Sequence, residues 1–327
     1  MPYPKIELHV HFEATVRPRT LLAIARRNRF ALPADTVEGL LRLYEFRDFD
    51  HFIDLWIATT PALQCAADFR EVVVAYAAEA ARAGCVYIEG IFSPSEPAQR
   101  GVAWDEVFEG YCDGAAEARE EHGVEVRLTP DITRGFSLDL AIKTAEMSVA
   151  YRDRGVVGLG LGGRENLYPA EDYADAFAVA RAGGLGSVPH AGELAGPESI
   201  RGALDALHAD RLRHGIRAVE DPALAAELAE RGIVCDVTPI SNLRTGIVVS
   251  LDEHPLREMI AAGIPCSIST DDPALFDTDL NRDCAAAEGL GLQPRTMYRS
   301  ALSGVLCDDM TRQRLSAIGE ANEWATA

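Results

Sequence analysis

The sequence predicts an α/β protein in which a parallel sheet closes on itself as a (β/α)8 TIM barrel. Three observations point to it. Eight strand-like runs alternate with helical patterns along the 327 residues, the signature of parallel strands joined by crossover helices. The unusual polar residues gather where those runs end, as sites do in barrels. No Gly-x-Gly-x-x-Gly follows the first run, so the main alternative, a doubly wound open sheet, lacks its dinucleotide signature.

The first run is Lys5–His11. Strand alternation places Ile6, Leu8 and Val10 on one face and Glu7, His9 and His11 on the other. Two imidazoles at that spacing can aim at one metal ion, although a hydrogen-bonded His pair at a wet strand end has the same spacing. Helical patterns follow at Pro18–Asn28, Phe49–Thr60 and Ala66–Ala83, with Pro18 suited to a first helical position. Residues 1–327 read as a single domain. Residues 12–84 form a helical insertion, too long for a simple crossover, that is expected to fold over the end of the first strand as a lid.

The remaining strands are expected at Cys85–Phe92, Val124–Pro130, Val156–Leu161, Ser187–His190, Arg211–His214, Ile233–Thr238 and Pro265–Thr270. Helical patterns at Trp104–Glu121, Leu138–Tyr151, Ala170–Ala182, Glu198–His208, Pro222–Arg231 and Leu256–Ala262 lie between most of them. Gly158, Gly160, Gly162 and Gly163 lack the Gly-Lys-Ser/Thr ending of a phosphate loop and read as a strand end with close backbone approach.

Composition bounds the function. Apolar residues make up 48% and charged residues 25%, a soluble globular profile. No apolar run spans a bilayer, and the N-terminus lacks a signal region, so the expected location is the cytoplasm. With 51 acidic against 31 basic residues and a net charge of −20, the surface repels nucleic acid and anionic membranes. A small-molecule substrate is expected; the oligomeric state is left open. The seven cysteines are scattered, with no Cys-x-x-Cys pair, which argues against disulfides and a cysteine zinc site.

Four strand ends carry the chemistry. His9, His11, His190 and Asp271 make a three-nitrogen, one-oxygen set suited to a zinc ion, which generates a nucleophile from water near neutral pH. Glu193 leaves a strand end beside His190 and can pass protons to a substrate nitrogen. His214 is placed to orient water, and Asp272 to hydrogen-bond the substrate. Singly, His190 fits a core histidine and Asp271-Asp272 a helix cap before Pro273. Jointly the four ends point to a site. The only lysines, Lys5 and Lys143, are misplaced for a modified lysine bridging two metals, which favours one zinc per chain.

The runs Glu7-Leu8-His9-Val10-His11, His190-Ala191-Gly192-Glu193, His214-Gly215, Pro239-Ile240-Ser241-Asn242 and Ser269-Thr270-Asp271-Asp272-Pro273 resemble the adenosine/adenine deaminase family, in its order and over most of the chain. The resemblance implies a zinc-dependent barrel that replaces the 6-amino group of a purine by oxygen and releases ammonia. By position, His9, His11, His190 and Asp271 would bind zinc, and Glu193 would protonate the purine ring nitrogen. His214 would orient the attacking water, Asp272 would bond the five-membered ring, and Gly163 would contact the base through its N–H. Where the family has Leu-Asp-Gly or Leu-Glu-Gly after the His pair, this chain has Phe12-Glu13-Ala14. Glu13 would then face the sugar side of the substrate. Arg213 replaces a common glycine, Thr238 a cysteine, and Gly160 and Ile91 an Asp and an Arg.

Adenosine or a close derivative is the default substrate. Aminodeoxyfutalosine, a nucleoside extended at its 5′ end by a benzoate, and free adenine are the alternatives. The benzoate would want a cation, for which Arg17, Arg19, Arg134 and Arg164 are candidates. Outside the class stand another metal-dependent amide or ester hydrolase and a binding relative without catalysis. The intact ligand set and Glu193 speak against both.

Overall fold

The computed structural model describes residues 3–324. Its strands are β1 (Lys5–His11), β2 (Cys85–Ile91), β3 (Glu125–Leu128), β4 (Asp131–Thr133), β5 (Gly158–Gly162), β6 (Gly186–Ser187), β7 (His190–Ala191), β8 (Arg211–His214), β9 (Val234–Val237) and β10 (Cys266–Ile268). All their ladders are parallel, in the orders β1-β2-β3, β4-β5-β6 and β7-β8-β9-β10. Two of the eight expected strands are interrupted, and the third continues as β4 beyond its expected end at Pro130. Pro130 separates β3 from β4 and Pro189 separates β6 from β7, because proline offers no N–H to a neighbouring strand. Single bridges at Leu128–Val156 and Val10–Asp271 carry the pairing across the gaps. At the second, the His11 N–H donates to the Asp271 carbonyl at 2.9 Å and the Asp271 N–H to the His9 carbonyl at 3.1 Å. The last strand thus closes on the first, and the barrel is complete.

β1 departs from simple alternation. Its register on β2 shifts between Glu7 and Val10, and the N–H groups of Leu8 and His9 both donate to Ser269 Oγ at 3.1 Å. A bulge of this kind re-aims the side chains around it. Glu7 does not share a face with the histidines. Its carboxylate takes hydrogen bonds from the hydroxyls of Tyr76 and Thr270, each at 2.7 Å. Ile6 and Leu8 pack with Tyr87, Tyr298 and Leu315, whereas Val10 joins the main core. His9 and His11 still converge.

The first strand's starting end is sealed by two helices that the sequence reading did not anticipate, Pro294–Gly304 and Asp309–Ala321. Tyr298 and Leu315 from them cover Ile6 and Leu8. The buried Arg211 bonds Asp236 at 2.6 Å, Glu89 at 2.8 Å and the Gly304 carbonyl at 2.6 Å, tying the seal to three strands. Between β1 and β2 run helices Pro18–Arg27, Val37–Leu43, Phe49–Thr59 and Ala66–Arg82. The second, unanticipated, starts at Thr36, whose hydroxyl accepts the Gly39 N–H, a standard cap. No helix among the described residues is long and apolar enough to cross a membrane.

Directly after His11, the Phe12 ring lies against Gly90 of β2, in the space a Cβ on Gly90 would need. Gly90→Ala is therefore expected to overpack the core and destabilise the protein by about 1–3 kcal/mol, seen as a lower urea midpoint at unchanged slope. An unchanged midpoint would show that Phe12 gives way freely.

Candidate active site

The fold brings all four expected metal ligands together. His9 Nε2 lies 3.1 Å from His190 Nε2 and 3.1 Å from Asp271 Oδ1. His11 Nε2 lies 3.3 Å from His190 Nε2 and 3.4 Å from Asp271 Oδ1. The four donor atoms fall within 4.8 Å of one another. The partners of the other ring nitrogens explain the orientation. His190 Nδ1 stands 2.9 Å from the Leu161 carbonyl, which can only accept, so the lone pair is on Nε2. His9 Nδ1 faces the Asp236 carbonyl at 3.5 Å. Burial holds His11 and His190 neutral, well below the ordinary imidazole range. Burial opposes the charge of Asp271, but His9, His214 and His11 outweigh it and keep Asp271 ionised. Ser241 Oγ donates to Asp271 Oδ2 at 2.6 Å, leaving Oδ1 for the centre. Three imidazole nitrogens and one carboxylate oxygen converging in this way fit a zinc ion.

Glu193, His214 and Asp272 surround this centre. His214 Nε2 is 3.6 Å from Glu193 Oε2 and 3.9 Å from Asp271 Oδ2. Behind it, Asn242 Nδ2 at 3.4 Å and Thr238 Oγ1 at 3.2 Å face His214 Nδ1. His254, buried as a structural residue, holds the Asn242 side-chain Oδ1 at 3.1 Å. Burial, then His9, push the His214 imidazole down to about 3. Burial, then Asp271 and Glu165, push Glu193 well above the carboxylate range; burial and Asp271 do the same to Asp272. A protonated acid thus sits beside an ionised one, the separation that general acid chemistry needs. Asp272 Oδ1 is buried without a hydrogen-bond partner among the described residues. His214 and Asp271 both adopt left-handed backbone conformations, φ 63° and 65°, strained for residues with side chains and typical of functional sites.

A cavity of about 530 Å³ opens over the centre. His11, His190, Glu193, His214, Asp271 and Asp272 are in its wall, as are Gly163 and an apolar face of helix Phe49–Thr59. Glu13 is set back from the wall. Its Oε1 accepts the Ser93 N–H at 2.7 Å, and burial raises it to about 7. Of the candidate cations, Arg17 is consumed by Glu79 and the carbonyls of Pro273 and Thr278, and Arg19 is exposed away from the cavity. Arg134 and Arg164 line it, but one donates to the His190 carbonyl at 3.0 Å and the other pairs with Asp50 at 3.0 Å.

Three supporting roles, those of Asp131, Arg213 and Glu165, escaped the sequence reading. Asp131 pairs with the buried Arg213 and lies 3.5 Å from His190 Nδ1. The pair fills the room over Gly160, where a Cβ would collide with both, so Arg213 and Gly160 are one linked departure from the family pattern. Glu165 is the third. It accepts the four consecutive N–H groups of Gly192, Glu193, Leu194 and Ala195 at 2.5 to 3.2 Å. This carboxylate clamps the turn that carries Glu193; only its place two residues after Gly163 hinted at a role. Glu165→Gln, which loses an acceptor and adds a donor facing these N–H groups, is expected to lower kcat at least tenfold while metal content and KM change little. An unaltered kcat would show that the turn holds itself.

A sequence model of the family described as "Adenosine deaminase" matches residues 4–318. An aminodeoxyfutalosine deaminase from Acidothermus cellulolyticus is 53% identical over 330 residues, covering 99% of this chain and 93% of its own. Among solved structures, an adenine deaminase from Arthrobacter aurescens superposes with a TM-score of 0.92 at 31% identity, covering 97% of this chain and 98% of that one. An amidohydrolase from Burkholderia ambifaria with bound Zn gives 0.88 at 26% identity, covering 97% and 90%. With its barrel, its ligand set and a match along almost its whole length, this chain belongs to the adenosine deaminase family.

Proposed function

We propose that the protein is a cytoplasmic hydrolytic deaminase of a 6-aminopurine nucleoside, with aminodeoxyfutalosine as its substrate. The similarity to the Acidothermus cellulolyticus deaminase, 53% over nearly the whole chain, carries this reading. The cavity supports it, because its apolar helix face extends the site beyond what the base alone would need. Free adenine is the second reading, favoured by the superposition on an adenine deaminase.

The reaction exchanges a C–N bond for a C–O bond at the amino-bearing carbon and releases ammonia. One zinc ion, held by His9, His11, His190 and Asp271, would supply Lewis-acid activation of water. Glu193, protonated because it is buried beside Asp271, gives its proton to the ring nitrogen next to the attacked carbon. The neutral His214, backed by Thr238 and Asn242, orients the water and meets the charge that develops. Asp272 turns its unpartnered Oδ1 to the five-membered ring, and the Gly163 N–H bonds the base. Glu13 shapes the sugar side from behind Ser93.

Ammonia release from zinc-loaded protein on aminodeoxyfutalosine, adenosine and adenine tests the reading. Turnover of the first well above the others, with one zinc per chain by elemental analysis, is expected; a preference for adenine would replace it by the second reading. Glu193→Gln is expected to keep its zinc and lose turnover by roughly 10²–10⁴, the usual worth of a positioned proton donor. Turnover near the wild-type rate would remove Glu193 from its role.

A further inference from the structure

Part of the cavity wall has no task in the deamination itself. Ser93, Glu96, Gln99 and Arg100, on the segment leaving β2, line it together with Phe52 and Trp56 of the insertion. The amine chemistry needs none of these, so they meet whatever the purine carries. The other cations in the wall are held elsewhere. Arg164 pairs with Asp50. Arg134, whose Nε and Nη1 are buried without a partner among the described residues, is tied by its Nη2 to the His190 carbonyl. It faces Glu165 and Glu193 beside the metal ligands, away from the segment that leaves β2. Arg100 differs. Its guanidinium makes no hydrogen bond or ion pair among the described residues, and its side chain is exposed at the cavity. The acids near it, Glu96 and Glu13, each have another partner. Glu96 is engaged by Thr133 at 3.5 Å, and Glu13 by the Ser93 N–H at 2.7 Å. In a protein of net charge −20, an uncommitted cation in the site wall points to an anionic group on the ligand.

We infer that Arg100 is the anion-binding subsite of this cavity, taking a carboxylate carried on an aromatic group at the sugar end of the substrate. The planar apolar side chains of Phe52 and Trp56 supply the surface for the ring, and a guanidinium binds a carboxylate through two parallel N–H bonds. The assignment rests on the substrate reading above. It moves the cation away from the four arginines that sequence position suggested and onto a residue of the short helical turn after β2.

The test compares aminodeoxyfutalosine with its methyl ester, on zinc-loaded wild type, Arg100→Met and Arg100→Lys. The wild type is expected to favour the acid over the ester in kcat/KM. Arg100→Met should reduce that acid-to-ester ratio about tenfold or more, mainly through KM, and Arg100→Lys should restore part of it. Zinc content and thermal midpoint, measured on each variant, separate a local change from misfolding, and an exposed position makes misfolding easy to avoid. An acid-to-ester ratio that Arg100→Met leaves unchanged overturns the assignment of Arg100 alone. Turnover of neither compound by the wild type, with adenine or adenosine accepted, overturns the substrate reading and the subsite with it.

Discussion

Two backbone hydrogen bonds do more than close the barrel. The exchange between Asp271 and the pair His9 and His11, at 3.1 and 2.9 Å, joins the last strand position to the first. The same three residues supply three of the four donor atoms that converge at the candidate metal site. Closure of the fold and assembly of the site are thus one event. The bulge in β1 belongs to it, since Ser269, two residues before Asp271, receives the N–H groups of Leu8 and His9. Asp271 takes up a left-handed backbone to do this, and two ladder bonds with a buried ligand cluster hold it there against its own preference.

The second constraint is electrostatic. Glu193, Asp271 and Asp272 are all buried, and three carboxylates cannot all ionise in so small a volume. Asp271 takes the charge because His9 contacts one carboxylate oxygen and Ser241 donates to the other, whereas Glu193 and Asp272 keep their protons. The division of labour follows from neighbours rather than from residue type. Glu165 shows the converse. A fourth buried carboxylate, it is satisfied by four backbone N–H groups and fixes the turn of Glu193.

Much of this was legible in the sequence, and the reasons are local. The His-x-His spacing, the strand runs and the polar residues at their ends are patterns within a few residues. They sufficed for the barrel, and they picked out His9, His11, His190, Glu193, His214, Asp271 and Asp272, which the fold brings together. What stayed hidden depends on partners far along the chain. Glu165 reads as an ordinary acid until the turn at Gly192 is folded against it, and Arg100 as surface charge until the wall around it is built. The bulge at Leu8 and His9 requires Ser269, some 260 residues away. Prolines 130 and 189 were visible, yet a short strand run does not reveal whether a proline ends it or splits it. The helix Val37–Leu43 spans only two turns, too few for a clear period.

The Asp131–Arg213 pair over Gly160 has a consequence for how such sites diverge. An aspartate at position 160, as the family pattern often has, would collide with both side chains. A glycine at position 213, its usual occupant in that pattern, would strip a fully buried Asp131 of its counter-ion, an expensive loss. Either single step is deleterious, and the two together would still set the new side chain at position 160 against Asp131. Positions 131, 160 and 213 therefore constrain one another, because the room left for each is set by the other two. A change at any one of them calls for matching changes at both others.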